Sequence, residues 1–369
     1  MNIIGPKAYI HVDRLKQNLK RIQKRIGNRL LLCVVKSNGY GHNAKIIARE
    51  LSRQDKQIGF AVFAFEEAIE LRKEKIKNKI LIFSRIHDSW IDKAFHFDLD
   101  VTASTIDDLK LLIKMHKSGK CPSFHLNFNT GMNRLGFDYN QSESVFLLLR
   151  KNPKVPLKGI YSHFATADEK DLKYAYSQLN TFKKIVAIAS DNNINFKYIH
   201  CSNSGSILNM DDYLFNMVRV GMILYGVSPS EESIMDDKLS PVMSFCGPIV
   251  NIRRVKKGTK ISYGGEYSTT EDTNIGVVQV GFADGFPRPW FRNGYISYKG
   301  EKYKIAGRAC MDQFMVDFKE TNPKEGDSVL IFGRLGPDEI PIEQIAKEIS
   351  TTSYALLTSI HGRTQHLIK

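Results

Sequence analysis

A lysine stands directly after an apolar run near the start of the chain. Residues 30–35, LLLCVV, are typical of a strand covered on both faces, and Lys36 follows at once, before a polar loop with two glycines. An isolated lysine at the end of a strand usually extends its ammonium group to water. A lysine in a poorly hydrated pocket instead tends to lose its proton, and the neutral amine adds to carbonyls to form Schiff bases.

Further polar residues follow other strand-like runs. They are Arg134 after FHLNF, His163 after LKGIYS, Asn203 and Ser204 after KYIHC, and Arg219 within MVRVGMILYG. In a barrel of parallel strands, the C-terminal ends of the strands meet at one rim. Independent surface residues have no reason to gather there, so the pattern favours Lys36 as a nucleophile. The carbonyl compound that reacts with Lys36 is then either a substrate or pyridoxal 5′-phosphate. For pyridoxal 5′-phosphate, the segment SNSGS and the backbone near Gly221 would form the phosphate site.

The elements that would position these residues alternate between strands and helices. Strand-like runs occupy residues 30–35, 60–64, 79–83, 99–103, 124–128, 157–162, 197–201 and 217–226. Between them lie helical patterns such as IDDLKLLIKMHKSG and YSQLNTFKKIVAIAS. Eight such repeats predict an α/β fold with a closed (β/α)8 TIM-type barrel. The earlier segment AYIHVD is a ninth strand without a place in that barrel.

The predicted secondary structure changes after a polar linker at residues 228–241. Short strands and turns follow, with one late helix in PIEQIAKEIS, and this pattern predicts an antiparallel β domain. We therefore assign residues 8–235 to the barrel. Residues 236–369, together with residues 1–7, are assigned to the β-strand-rich domain.

Composition excludes several classes of protein. Five scattered cysteines without a CxxC pair argue against a disulfide framework and a structural metal site. No apolar run approaches the roughly 20 residues of a membrane span, and the N-terminus is not a secretory signal, so we expect a cytoplasmic protein. The net charge of +14 is spread over many helical segments without interleaved aromatic residues. A nucleic-acid partner is therefore not expected.

Eight segments resemble bacterial alanine racemases. VVKSNGYGHNA resembles the family's pyridoxal-phosphate attachment motif. The other segments, in the order of the family, are NTGMNRLGF, HFATADE, HCSNSGSIL, RVGMILYG, ISYGGEYST, VGFADGFPR and GRACMDQFMVD. They cover nearly the whole chain. The resemblance implies a homodimer that interconverts L- and D-alanine and supplies D-alanine for cell-wall peptidoglycan.

The resemblance also implies roles for catalytic residues. Lys36 would hold pyridoxal 5′-phosphate covalently and then serve as one base, and Tyr263 of the partner subunit would be the second. Two acid/base groups are needed because the proton leaves one face of Cα and returns on the other. His163 would contact the tyrosine oxygen and continue to Arg219, which would face the pyridine nitrogen.

Ligand-binding residues follow from the same resemblance. Tyr40, Ser204 and Tyr354 match phosphate contacts, together with backbone N–H groups near Gly221 and Met222. Arg134 would lie near the substrate carboxylate, which the backbone at Met311 of the partner subunit would also bind. Residues resembling those of the family's access corridor are Asp168, Arg288 and Arg308.

Three positions depart from the family pattern. Asn127 stands where many members carry a carbamylated lysine, and neutral asparagine cannot supply the anion that orients Arg134. We hypothesise that chloride occupies the gap. Asn129 replaces an aspartate, and Phe282 replaces a tyrosine at the inner gate of the corridor. A looser gate would admit serine as a minor substrate, because a pocket rejects one extra hydroxyl only weakly.

Four other functions remain open at this point. A broader amino-acid racemase or a decarboxylase has a related scaffold, although decarboxylase relatives usually place an acidic residue, not an arginine like Arg219, at the pyridine nitrogen. A non-catalytic pyridoxal-phosphate carrier resembles only the barrel, and the β domain that contains Tyr263 argues against it. A nucleic-acid binder would show steeply salt-dependent binding.

Overall fold

The computed structural model describes residues 5–210, 215–233 and 239–369. An eight-stranded parallel sheet forms a nearly closed barrel, and a nine-stranded, mainly antiparallel sheet follows it. The predicted fold, a TIM-type barrel with a C-terminal β domain, is confirmed. The predicted boundary between residues 235 and 236 lies outside the described residues.

The barrel strands are parallel and follow one another around the sheet. In spatial order they are Tyr198–His200, Leu157–Tyr161, Phe124–Asn127, Asp100–Ala103, Ile80–Arg85, Gly59–Val62, Leu30–Val34 and Met217–Val220. The last strand meets the first at a seam where the Arg219 N–H donates to the Ser202 carbonyl at 3.0 Å. Arg219 lies on this last strand, and its side chain is buried, with only 3% of its surface exposed.

The helices of the barrel part carry apolar residues at spacings of three and four. One of them, Ile106–Lys117, begins where the Thr105 hydroxyl accepts from the Asp108 N–H, and it buries Leu109 and Leu112. The helices in this part are Val12–Ile26, Ala44–Gln54, Phe65–Lys73, Ile91–His96, Ile106–Lys117, Ser142–Arg150, Lys173–Asp191 and Ser204–Asn209. The later helices are Ile342–Glu348, inside the predicted PIEQIAKEIS, and Ser353–Thr358.

The predicted ninth strand belongs to the second sheet. Lys7–Ile10 pairs antiparallel with Met243–Val255 and parallel with Gln365–Ile368, so both chain ends join that sheet. Its strands in spatial order are Asp338–Ile340, Ser328–Leu335, Tyr295–Tyr298, Glu301–Ile305, Phe314–Asp317, Thr273–Val278, Met243–Val255, Lys7–Ile10 and Gln365–Ile368. Met243–Val255 also pairs with Ser328–Leu335, and a separate ribbon joins Lys260–Ile261 to Tyr267–Ser268.

One predicted strand is too long. The run at 217–226 is a strand only over Met217–Val220, and Met222–Tyr225 forms a buried 3₁₀ turn. A continuous apolar run does not distinguish a strand from a buried turn, because both remove every side chain from water. The early end brings the backbone of Gly221 to the barrel rim. Within the described parts of the chain, no helix is long and apolar enough to cross a membrane.

Candidate active site

The C-terminal ends of the barrel strands enclose a cavity of about 490 Å³. Nine of the predicted site residues line it: Lys36, Tyr40, Arg134, His163, Ser204, Arg219, Gly221, Met222 and Tyr354. Asp168 lines it as well. Tyr263 and Met311 do not, and both side chains are largely exposed on the β domain, at 69% and 57%.

The backbone after Lys36 is left-handed. Ser37, Asn38 and Gly39 have φ angles of 52°, 54° and 66°, a region that costs non-glycine residues roughly 1–2 kcal/mol each. Contacts from other segments hold this turn: the Ser37 N–H donates to Glu67 at 2.6 Å, and the Asn38 side chain accepts from the Ala44 N–H at 3.1 Å. The turn reverses the chain within a few residues, so that Lys36 and Tyr40 line the same cavity.

The Lys36 amine is prepared for nucleophilic chemistry. Burial lowers its pKa below the usual 10.5, the charge of Arg134 lowers it further, and Glu67 partly opposes both effects. Across residues 5–210, 215–233 and 239–369, no hydrogen bond or ion pair engages its Nζ atom. A larger neutral fraction and a free lone pair are the two properties that attack on an aldehyde requires.

The Arg219 guanidinium is fixed by five hydrogen bonds. Nη1 donates to His200 Nδ1 at 2.9 Å and to the His200 carbonyl at 3.0 Å. Nη2 donates to the Ser162 carbonyl at 2.7 Å, His163 Nδ1 at 3.1 Å and the Cys201 carbonyl at 3.1 Å. No described residue accepts from its Nε–H. One donor therefore remains for a ligand in the cavity.

His163 is a neutral imidazole with a defined tautomer. Burial lowers its pKa far below the usual value, and the charges of Arg219, Arg134 and Lys36 lower it further. Because Nδ1 accepts from Arg219, the single proton of the ring is on Nε2. His163 therefore offers an N–H donor on the side away from Arg219.

A group of hydroxyls from three elements lines the same cavity as the lysine. Ser204 Oγ accepts from the Gly221 N–H at 3.1 Å, and the Tyr40 and Tyr354 ring centroids lie 6.0 Å apart. Burial raises the pKa of both phenols, to about 12 for Tyr354, so both keep their protons. In the described part of the chain neither phenol oxygen has a hydrogen-bond partner. Free hydroxyls beside the backbone turn at Gly221 are suited to a phosphate.

Two family models match the chain almost end to end. The model of the alanine racemase N-terminal domain matches residues 10–229, and that of the C-terminal domain matches residues 242–368. The chain belongs to the alanine racemase family. The protein is therefore an isomerase that acts on amino acids, and its family uses pyridoxal phosphate and racemises alanine.

Individual relatives agree with this assignment. The chain is 35% identical to alanine racemase 1 of Bacillus subtilis over 98% of its own length and 92% of that protein. It is 35% identical to the alanine racemase of Desulforamulus reducens, over 96% of each chain. The solved structure of alanine racemase from Clostridium difficile has a TM-score of 0.93 and 32% identity, covering 100% of this chain and 97% of that one.

The cavity fits the cofactor that the alanine racemase family uses. Lys36 offers a free amine for the aldehyde, Arg219 a free Nε–H for the ring nitrogen, and Tyr40 and Tyr354 free hydroxyls for the phosphate. Gly221 leaves the space that this arrangement needs, since a Cβ atom there would lie 2.8 Å from the Tyr40 hydroxyl. Each polar end of pyridoxal phosphate thus has an available partner.

A Gly221→Ala variant is expected to bind pyridoxal phosphate about tenfold more weakly, equivalent to about 1.4 kcal/mol. The new methyl group would displace the Tyr40 hydroxyl, which lies 2.8 Å from its position. Fluorescence titration of the apoprotein measures the affinity. Gly5→Ala is the matched control, because a Cβ atom there has no neighbour within 4 Å. Unchanged affinity in Gly221→Ala would show that Tyr40 does not contact the phosphate.

The departures from the alanine racemase pattern at residues 127 and 129 have different consequences. Asn127 is buried and donates to the Ser104 hydroxyl at 3.3 Å, and Arg134 has no carboxylate within ion-pair distance among the described residues. Asn129 instead holds the loop together, donating to Asp138 at 2.9 Å and accepting from the Asn133 N–H at 2.9 Å. An aspartate at 129 could not donate to Asp138.

The predicted corridor residues are divided between the two parts of the structure. Asp168 lies at the cavity, whereas Arg308 forms an ion pair with Glu266 on the β domain. The Arg288 guanidinium lies 5.3 Å from the centroid of the Phe282 ring. The single chain thus brings Asp168 to the cavity and leaves Arg288 and Arg308 apart from it.

Sequence reasoning missed two residues that contact Arg219. The Arg219 guanidinium carbon lies 5.3 Å from the centroid of the Tyr161 ring, and the Tyr161 ring stacks on His200 with centroids 5.0 Å apart. Both residues lie at the ends of predicted barrel strands, in LKGIYS and KYIHC. Their place at the C-terminal ends of strands was the available signal.

Proposed function

We propose that this chain interconverts L- and D-alanine with pyridoxal phosphate attached to Lys36, using Lys36 and Tyr263 of the partner subunit as the two bases. The observation that carries the proposal is the cavity of Lys36, Arg219 and the tyrosine hydroxyls, in which each group has a free polar atom. Membership of the alanine racemase family supports it.

Bound pyridoxal phosphate supplies an electron sink for the electron pair that remains on Cα after deprotonation. Arg219 can only donate at the ring nitrogen, because a guanidinium has no acceptor. It therefore leaves that nitrogen without an added proton and limits how much charge the ring withdraws. By limiting that withdrawal, Arg219 would restrict side reactions such as transamination.

The second base has to reach Cα from the face opposite Lys36. Tyr263 is 69% exposed on the β domain and does not line its own chain's cavity. We infer that it enters the cavity of an adjoining subunit, where the Nε2–H of His163 would donate to its oxygen. The homodimer, a cytoplasmic location and the supply of D-alanine for cell-wall peptidoglycan accompany this proposal as predictions.

The decisive experiment incubates the holoenzyme with L-alanine in deuterated water. Loss of optical rotation together with deuterium at Cα is the expected result. Serine is tested in parallel, because Phe282 in place of a gate tyrosine predicts a small activity with it. A protein that binds the cofactor and leaves alanine optically pure would refute the proposal.

Chloride is expected to lower KM for alanine by up to about fivefold, equivalent to about 1 kcal/mol for an exposed ion pair. The reason is that Arg134 has no carboxylate partner in the described residues, so a small anion beside Asn127 would orient it toward the substrate carboxylate. Steady-state rates in chloride and in gluconate at equal ionic strength give the comparison. Asn127→Asp supplies a fixed anion and should abolish the difference. Identical KM values in both salts would contradict the chloride hypothesis.

A further inference from the structure

A row of four polar side chains extends from the active site into the barrel. Arg219 Nη1 donates to His200 Nδ1 at 2.9 Å, and His200 Nε2 lies 2.9 Å from His125 Nδ1. His125 Nε2 in turn lies 3.7 Å from a carboxylate oxygen of Asp100, within ion-pair range. All four residues are buried. Asp100 and His125 line a separate cavity of about 320 Å³, away from the one that holds Lys36.

The two ends of the row fix the proton positions between them. A guanidinium only donates and a carboxylate only accepts. His200 therefore accepts at Nδ1 and carries its proton on Nε2, which donates to His125 Nδ1. His125 in turn carries its proton on Nε2, facing Asp100. Both imidazoles are neutral in this arrangement, and every N–H dipole points from Arg219 toward Asp100.

The row gives Arg219 a remote counter-charge. In the part of the chain that the structure describes, no carboxylate lies within ion-pair distance of its buried guanidinium. Burial lowers the pKa of His200 far below its usual value, and the charge of Arg219 lowers it further, so His200 cannot supply charge. Burial opposes ionisation of Asp100, but His125, Lys79 and Lys158 outweigh that effect and lower its pKa. Asp100 is thus an anion at physiological pH.

The barrel wall is built to accommodate the row. A Cβ atom at Gly159, in the strand Leu157–Tyr161, would lie 2.5 Å from His125 Nδ1. The Tyr198 ring, from the strand on the far side of Gly159, stacks on His125 with centroids 5.7 Å apart and planes at 6°. Glycine weakens the middle of a strand, so its presence opposite His125 indicates that the imidazole needs the space.

We propose that His125 and Asp100 are positioning residues for racemisation, with Asp100 as the counter-charge that holds Arg219 in place through His125 and His200. Neither residue touches the active-site cavity, so they act only through Arg219. The proposal rests on the proposed function, because it concerns the arginine assigned to the cofactor's ring nitrogen.

The test compares Asp100→Asn with the control Asp107→Asn. The Asp107 carboxylate lies on the surface beside Lys110. We expect Asp100→Asn to lower kcat about tenfold in both directions, the typical effect of removing an outer partner of a ligand-orienting histidine, with KM nearly unchanged. The imidazole N–H resonances of His200 and His125 should move upfield in proton NMR of both apoprotein and holoenzyme. Asp107→Asn should change neither kcat nor the resonances.

A pair of variants at His125 separates positioning from folding. His125→Asn keeps an acceptor for the His200 N–H and should retain more kcat than His125→Leu, while both lose the connection to Asp100. Equal activities in these two variants, or unshifted resonances in Asp100→Asn, would overturn the proposal. Absence of alanine racemisation in the unaltered holoenzyme would instead refute the proposed function, and the resonances would still report on the row.

Discussion

Lys36→Ala is expected to lower the rate of alanine racemisation by at least about 10⁴-fold, as loss of a covalent catalytic group does in other enzymes. The variant loses both the proposed attachment point of pyridoxal phosphate and one of the two proposed bases. The proposed phosphate contacts at Tyr40, Ser204 and Tyr354 would remain, so the cofactor should still bind, but reversibly. Chiral chromatography of the product and removal of cofactor by gel filtration measure the two effects separately.

Lys110→Ala is the matched control, because its ammonium group is on the surface beside Asp107. It should behave like the unaltered enzyme in both assays. The lowered pKa of Lys36, caused first by burial, adds a pH signature. Since only the neutral amine attacks, reattachment of the cofactor to the apoprotein should accelerate with rising pH and level off below the ordinary lysine pKa of 10.5. Retention of covalent cofactor in Lys36→Ala would place the attachment elsewhere.

The sequence predicts the position of Lys36 because barrel geometry needs only the order of the elements. Once strands and helices alternate, the residue after each strand lies at the catalytic rim. Asp100 and His125 were not predicted, because they lie near the starts of their strands, away from the catalytic rim, and their contacts depend on the relative rotation of neighbouring strands. The strand predicted at 217–226 is too long for a different reason. Every side chain of the run is buried, so the sequence lacks the periodicity that distinguishes a strand from a turn.

The charges around the cavity explain how one site can bind two kinds of anion. Lys36, Arg134 and Arg219 all line it, and Arg219 has its nearest proposed counter-charge at the far end of the imidazole row. Under the proposed function, such a site would attract a phosphate at the tyrosine hydroxyls and a carboxylate near Arg134. We proposed that Asp100 holds the orientation of the buried Arg219. For the exposed Arg134, a diffusible anion such as chloride would have that role.

Tyr263→Phe is expected to lower racemisation by about 10²–10⁴-fold, the usual contribution of a positioned acid/base group. The ring is kept, and only the hydroxyl proposed to exchange the proton is lost. Lys36 should still exchange the Cα hydrogen of the one enantiomer whose hydrogen faces it. Proton NMR in deuterated water should therefore show deuterium entering that enantiomer without inversion. Equal exchange of both enantiomers would exclude Tyr263 as the second base.

A mixture of Lys36→Ala and Tyr263→Phe chains tests whether the tyrosine comes from the partner. If it does, each hybrid dimer combines an intact Lys36 from one chain with an intact Tyr263 from the other in one of its two sites. Random pairing makes half of the dimers hybrid, so co-refolded chains should recover about one quarter of the unaltered activity. If both groups acted within one chain, every site in the mixture would lack one of them and no activity would return. The recovered fraction thus decides between a shared and a self-contained active site.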